Sequence, residues 1–409
     1  MRKPLKVLIV GDFLPDVGGV SQYVLNLATF LIKFGHEVAI FHTKPGLDRN
    51  LGILYIYRLP HSLFLKLKYI LKGLVYVIEF IKISPLVIIR PKLLLTMLIY
   101  AGKLSEIVEK TKVQVIHSNH LAIRSLVACH IAKKKNALCI ITAHGYDTEY
   151  PPNKLEYFIR KKCIDMASKV IVPTLWKALR IIKLYSAGDV ATIPNFIPCY
   201  QLNKISFHSK TAAKQFLGYG NKVVITFIGR ISREKGVFDI IEVARNLKAR
   251  NPDISNKVVF IIAGAGPVEQ ELIKSINSNE LPDLVSYAGK VIGTLKSNLL
   301  LASDIFLLPT TYYETFPIAL IEAMSHGAIP VVYYFPGVQE ILKHGEEGFV
   351  LSQGNIQDLL SIIEHVFLGE ISIHQMQLKA LHRAKKYCAE SVVPSIVNIY
   401  WESLYEKRS

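Results

Sequence analysis

At 409 residues the chain is long enough for two or three domains that each bury a core, and 51% of it is hydrophobic. A formal net charge of +17 suits an anionic substrate, a polyanion or an anionic membrane surface, and the mean hydropathy of +0.30 is high for a freely soluble enzyme. The five cysteines (Cys129, Cys139, Cys163, Cys199, Cys388) are scattered without a C-x-x-C pair, which argues for a reducing compartment and against a disulfide framework or zinc site, and no apolar run reaches the length of a membrane-spanning helix.

The basic start, MRKPLKVLIVG, lacks a full apolar core and cleavage site, so it reads as a first strand over 5–10 and not as a signal peptide. A loop, GDFLPDVGGVSQ, an apolar-periodic helix over 23–34 and a strand over 37–42 follow. This βαβ start predicts a parallel sheet with the loop at its carboxyl edge. Gly18 and Gly19 permit close backbone approach there, but the spacing is not G-x-G-x-x-G, so the nicotinamide fingerprint is absent. Residues 61–103 carry Lys66, Lys68, Lys72, Lys82, Arg90, Lys92 and Lys103 against the single acid Glu79. On a helix over 68–83, Lys68, Lys72, Glu79 and Lys82 fall within an arc of roughly 80°, and apart from Gly73 the rest is apolar or aromatic. Such a segment fits a membrane interface or a helix packed on the sheet, and both readings stay open. Strands over 114–118 and 139–142 come next, the second leading into AHGYD, which sets His144 at a carboxyl edge with Asp147 as a weaker candidate. His117 and His120 read as structural. No histidine–carboxylate cluster and no Asp-x-Asp motif is present, so neither a metal nor a cofactor is expected. A strand over 169–173 closes the first half, and the polar stretch 200–213 reads as the interdomain linker.

The second half restarts with a strand over 222–228, then GRISREKG and a helix over 237–247. Arg230 and Lys235 are two cations beside a helix start, suited to a diphosphate and to charge on a leaving group. A strand over 257–263 ends in Gly264-Ala265-Gly266, a weak G-x-G with Glu269 where a third glycine would stand; a strand over 285–287 runs into Ala288-Gly289-Lys290-Val291. Residues 304–332 then read as strand, polar aromatic loop, helix, turn and strand, with Pro317 at the first helical position and Gly327 as the stop. Glu314 precedes that helix and Glu322 lies inside it. Free N–H groups and the positive dipole end suit a diphosphate, while carboxylates accept hydrogen bonds from sugar hydroxyls. Helices over 359–367, 378–387 and 391–405 complete the chain.

The stretch ETFPIALIEAMSHGAIPVV resembles the nucleotide-sugar-binding signature of the large retaining glycosyltransferase family 4, and GRISREKG resembles that family's diphosphate clamp. The resemblance is tight over 223–350 and looser before it; Phe196 and Ile197 replace the usual Gly and Asp after Pro194-Asn195. It implies a GT-B architecture, two Rossmann-like α/β domains facing across a cleft: residues 1–200 for the acceptor, with a basic apolar insertion at 61–105, residues 201–385 for the donor, and a final helix in 386–409 packing back on the first domain. It further implies a metal-independent hexosyltransferase with Arg230, Lys235, Glu314 and His144 in the chemistry. Gly18, Gly19, Gly264, Gly266, Val291, Phe316, Pro317, Ile318 and Glu322 would hold the donor. The nucleotide sugar, UDP- or GDP-linked, and the glycan or lipid-linked acceptor of envelope polysaccharide or glycolipid synthesis stay unidentified. The expected location is cytoplasmic, peripheral on the inner membrane face. A sugar-nucleotide epimerase or hydrolase of the same fold, and a non-enzymatic basic membrane-binding protein, are the alternatives; nucleic acid is not an expected partner, because the basic residues are not interleaved as a stacking platform.

Overall fold

The computed structural model describes residues 3–13, 18–83, 90–149, 153–199, 207–278 and 280–407. The chain divides into two compact units, Met1–Asn195 with Ala389–Ser409, and Phe196–Cys388.

The first unit is built on an eight-stranded sheet: β1 (Lys6–Gly11), β2 (Glu37–Pro45), β3 (Arg49–Asn50), β4 (Leu54–Leu59), β5 (Val115–Asn119), β6 (Leu138–Thr142), β7 (Lys169–Val172) and β8 (Val190–Thr192). Their order is β3-β4-β2-β1-β5-β6-β7-β8, with only β3 antiparallel to its neighbour. The central strands are short buried apolar runs, as a parallel sheet covered on both faces requires. Val7 lies opposite both Val38 and Val115, so the order reverses between β1 and β5. The loops after β1, β5 and β6 therefore leave the sheet on either side of a switch point, where open α/β sheets bind ligands.

Helix α1 (Gly19–Lys33) begins four residues ahead of the expected start, because Gly18 in extended conformation already serves as its N-cap. Helix α2 (Leu63–Gly73), a 3-10 turn (Leu74–Tyr76) and helix α3 (Val77–Ile83) form one uninterrupted helical run, followed by α4 (Pro91–Thr111) and α5 (Ile123–Lys134). Gly73 and Gly102 let α2 and α4 touch backbone to backbone: a Cβ on the first would strike the Leu98 carbonyl, and on the second the Tyr69 carbonyl. The lysines expected on one solvent arc are partly engaged inside the protein. Lys68 and Lys72 both pair with Glu106 of α4, and Glu79 pairs with His130 and Lys134 of α5. The final helix, Ala389–Glu406, belongs to this unit. Its Tyr400 hydroxyl shares a 2.5 Å hydrogen bond with His117 Nδ1 at the middle of the sheet, and Lys407 donates to the Ala137 carbonyl at 2.9 Å.

The second unit holds a six-stranded, wholly parallel sheet: β9 (Val223–Ile228), β10 (Val258–Ala263), β11 (Val285–Gly289), β12 (Ile305–Leu308), β13 (Ile329–Tyr333) and β14 (Phe349–Leu351), in the order β11-β10-β9-β12-β13-β14. Here the order reverses between β9 and β12. Two expectations fail in this region. Of the stretch read as a linker, residues 200–206 lie outside the described residues, and Phe207–Phe216 is a helix. Its polar residues misled the reading, because Lys210 and Lys214 are not solvated but turn onto Asp304 at the start of β12, at 3.6 and 2.5 Å. The cysteines are also paired: Cys129 with Cys139, and Cys199 with Cys388, leaving Cys163 free and buried. Sequence spacing hid both pairs. Cys129 and Cys139 come from the adjacent elements α5 and β6, and the segment before Cys199 runs beside residues 387–388, where the Ile197 N–H donates to the Tyr387 carbonyl. The inference of a reducing compartment thereby loses its basis.

Candidate active site

In the second unit the residues singled out by sequence lie in the segments that follow β9, β10, β11 and β12. The loop after β9 holds Arg230 and Lys235, and the loop after β12 holds Glu314. The two loops are stitched together at one carbonyl: Glu234 O accepts the N–H groups of Thr311 (2.9 Å) and Tyr312 (3.2 Å) and the Thr310 hydroxyl (3.1 Å). Gly236, at φ 71°, closes the first loop under the second, where any Cβ would strike the Pro309 carbonyl. As a result the Lys235 ammonium is ion-paired with the Glu314 carboxylate, both largely buried, and lies 5.4 Å from the centre of the Tyr312 ring. Arg230 is exposed and makes no ion pair among the described residues. A cation and a carboxylate in contact, with a second cation in the same loop, can neutralise a diphosphate and grip a sugar hydroxyl.

The helix spans Ile318–Ser325, the range its pattern predicts. Pro317 is its N-cap with ψ 112°, not its first helical residue. Phe316, Pro317 and Ile318 are buried, Phe316 edge-on to Tyr387 at 5.1 Å, so these residues can offer a ligand their backbone more readily than their side chains. Glu322, a turn inside the helix, is held 2.5 Å from Lys296 Nζ. Gly264 and Gly266 lie against the backbone of residues 229–231, which leaves no space for a Cβ at either. The loop after β11, carrying Val291, is tied in by the Gly264 N–H donating to the Gly289 carbonyl at 2.7 Å. Two neighbours of these residues escaped the sequence reading. Lys296, which neutralises Glu322, gives no local signal, because its partner lies 26 positions away. Thr315 holds a buried hydroxyl with no hydrogen-bond partner, beside Glu314.

In the first unit, His144 lies at the carboxyl edge of β6 as expected, but it is deeply buried. Its Nε2 is 2.9 Å from the Asn119 Oδ1, Tyr23 packs edge-on at 4.9 Å, and burial pushes its pKa down to about 3, so the ring is neutral. Asp147 is buried too and accepts the N–H groups of Leu121 (2.8 Å) and His144 (3.2 Å). His120, read as structural, is the more accessible ring. Its side chain is 40% exposed, its Nδ1 is 3.5 Å from Asp147, and its backbone is left-handed at φ 74°, a conformation uncommon outside glycine. Burial works to lower the His120 pKa, but the hydrogen bond and charge of Asp147 prevail and raise it; burial likewise opposes, and His120 secures, a lowered pKa for Asp147. His117 is structural: fully buried, bonded to Tyr400 and Thr142, with its pKa driven down to about 3 by burial. Gly18 and Gly19 are exposed with open space where a Cβ would stand; residues 14–17 of the same loop lie outside the described residues. No described helix is long and apolar enough to cross a membrane.

Two doubly wound parallel-sheet units in one chain are the architecture of the GT-B fold class. The solved structure of sucrose-phosphate synthase from Thermosynechococcus elongatus superposes with a TM-score of 0.77 at 16% identity, covering 98% of this chain and all of that one. Anabaena HepE in complex with UDP-glucose gives 0.70 at 17%, covering 98% and 100%. Residues 17–200 match the model of Glycosyltransferase Family 4 and residues 209–386 that of Glycosyl transferases group 1, so the chain belongs to this glycosyltransferase family. Among curated relatives, the alpha-monoglucosyldiacylglycerol synthase of Acholeplasma laidlawii is 24% identical over 405 residues, 95% of this chain and 94% of its own length. A phosphatidylinositol N-acetylglucosaminyltransferase subunit of Arabidopsis thaliana is 24% identical over 377 residues, 88% and 74%.

Proposed function

We propose that the chain transfers a hexose from a nucleoside-diphosphate sugar to a lipid-linked acceptor, with retention of anomeric configuration and without a metal, at a membrane surface. The observation that carries this reading is the contact of Lys235 with Glu314 at the switch point of the second sheet, with Arg230 exposed in the same loop as Lys235. Arg230 and Lys235 would take up the negative charge that grows on the departing diphosphate, the role a metal plays elsewhere. Glu314 would accept a hydroxyl of the transferred sugar, and Glu322 the ribose hydroxyls once these displace Lys296. Backbone N–H groups around Phe316, Pro317 and Ile318, near the positive end of the helix, would face the phosphates, with Gly264, Gly266 and Val291 lining the nucleotide. The carboxyl edge of the first sheet, with Gly18, Gly19 and His144, would serve the acceptor and the sugar. Departure of the diphosphate leaves an oxocarbenium-like sugar; the acceptor oxygen bonds to its anomeric carbon from the same face, and the phosphate takes the acceptor proton. The names of relatives that glycosylate diacylglycerol and phosphatidylinositol lipids support the acceptor class.

The test is a thermal-shift panel with UDP, GDP and their sugar conjugates, with and without EDTA, followed by NMR of the product's anomeric proton. A ligand that binds only the native state raises the midpoint by mass action. One diphosphate should do so regardless of EDTA, and the product should keep the donor's anomeric configuration. Silence from every nucleotide, or turnover unchanged in Lys235→Ala and Glu314→Ala, defeats the reading.

A further inference from the structure

The second unit begins at Phe196 and ends at Cys388, and its two ends are joined. Phe196 and Ile197 are buried, and the Ile197 N–H donates to the Tyr387 carbonyl at 3.0 Å. A disulfide then links Cys199 to Cys388, 189 positions apart. Tyr387 and Cys388 are buried in turn, so the end of the unit is a strap pinned to its beginning. A backbone hydrogen bond and a few packed side chains can open locally while the sheet stays folded; a covalent link between the two segments removes that freedom.

Tyr387 carries the strap to the candidate active site. Its ring packs edge-on against Phe316, with the ring centres 5.1 Å apart. Its hydroxyl donates to the Glu340 carbonyl at 2.9 Å, and Arg383 donates to the carbonyls of Glu340 and Ile341 at 2.7 and 3.0 Å. The tyrosine is therefore held at both ends, by the short helix Val338–Ile341 at its hydroxyl and by the disulfide at the next residue of its backbone. Phe316 lies between Glu314 and Ile318 and is buried, so its side chain acts on a ligand by fixing the backbone it belongs to. An edge-to-face aromatic pair constrains direction as well as distance, which suits it to that task.

We infer that Tyr387 is a positioning residue for the donor: seated by the Cys199–Cys388 disulfide, it holds residues 314–318 in place through Phe316, and opening the disulfide loosens that segment and weakens donor binding. Opening needs a dithiol, which passes two electrons and two protons to the paired sulfurs, leaves two thiols and closes to its own cyclic disulfide. The effect on the donor rests on the function proposed above. The coupling of disulfide to loop is read without ligand, so the two can fail separately.

The experiment is hydrogen exchange by mass spectrometry on the full-length chain, oxidised with glutathione disulfide, reduced with dithiothreitol, or carrying Cys199→Ser, which spares the Cys129–Cys139 pair. Peptides covering 311–321 should exchange about tenfold faster in the reduced chain and in Cys199→Ser, with β9 and β10 unchanged, since only the strap has opened. Kinetics with the donor that gives a thermal shift then separate positioning from stability. Tyr387→Ala should raise the donor KM about tenfold with little change in kcat; Tyr387→Phe, which keeps the ring and loses the hydroxyl, should lower the midpoint and leave KM near that of wild type. Dithiothreitol should raise the KM of the wild-type chain and not that of Cys199→Ser. Exchange over 311–321 that ignores reduction overturns the inference. So does faster exchange spread evenly over the second sheet, a donor KM equal in Tyr387→Ala and wild type, or a Cys199 and Cys388 that stay free thiols under glutathione disulfide.

Discussion

Lys235 and Glu314 lie 79 positions apart and meet as an ion pair because their loops leave neighbouring strands, β9 and β12, at the point where the strand order reverses. The pair sets the first prediction. Lys235→Ala should lower kcat about 10²–10³-fold with a smaller change in KM, because its charge matters most as the diphosphate departs. Arg230→Ala should act in the same direction. Steady-state kinetics with the donor that gives a thermal shift decide this, and a pure KM effect would reassign both cations to ground-state binding.

Glu322 has a different role and a different signature. Glu322→Ala should abolish the thermal shift produced by nucleotide; because its pair with Lys296 is largely buried, the unliganded midpoint should fall as well, so the shift is read against the variant's own unliganded midpoint.

The His120–Asp147 pair predicts a pH dependence. His120 has a raised pKa in the folded chain, so its contribution to stability is complete below its ordinary value of 6.5 and disappears as pH rises through the folded value. Asp147 has a lowered pKa, so its contribution is present above 3.8 and is lost as pH falls through the folded value. The midpoint difference between wild type and His120→Asn, which tolerates the left-handed backbone, should therefore be largest between about pH 4 and 6.5 and shrink on the alkaline side. A difference that grows above pH 8 contradicts the ion pair.

The cysteine pairing gives a count. Denatured without reductant, the chain should react with a thiol reagent at Cys163 alone, and after reduction at all five cysteines. Five reactive thiols before reduction would mean that the pairs stay reduced in the protein as isolated.

Tyr400→Phe should destabilise by about 1–3 kcal/mol in urea titration, because it leaves buried His117 Nδ1 without its partner. A neutral effect would mean that Nδ1 finds another partner.

What could be read from the sequence follows the range of the interactions. The second sheet was legible because strand, loop and helix alternate there within a few residues, and because GRISREKG and ETFPIALIEAM each keep their chemistry local. The contacts that make those motifs a site are not local. Lys296 on Glu322, Glu234 O gathering the far loop, and Gly264 against Gly229 depend on strand order, which periodicity does not encode. The same holds for the misread pieces. The two-residue strand β3 is too short to show alternation, and the helix Phe207–Phe216 presents lysines whose partner Asp304 is 90 positions away. The pairing of His120 with Asp147 and its left-handed backbone likewise become visible only in three dimensions.

The return of helix Ala389–Glu406 to the first unit has a consequence for synthesis. Val392, Val393, Ile396, Ile399 and Tyr400 are buried in that unit, yet they leave the ribosome only after the whole second unit has been made. At about 5–20 residues per second, the nascent first unit waits roughly ten to forty seconds with that seat open. Newly made chains should thus bind holdase chaperones until this helix emerges, and a released chain truncated before residue 389 should carry a second unit that resists protease and a first unit that does not.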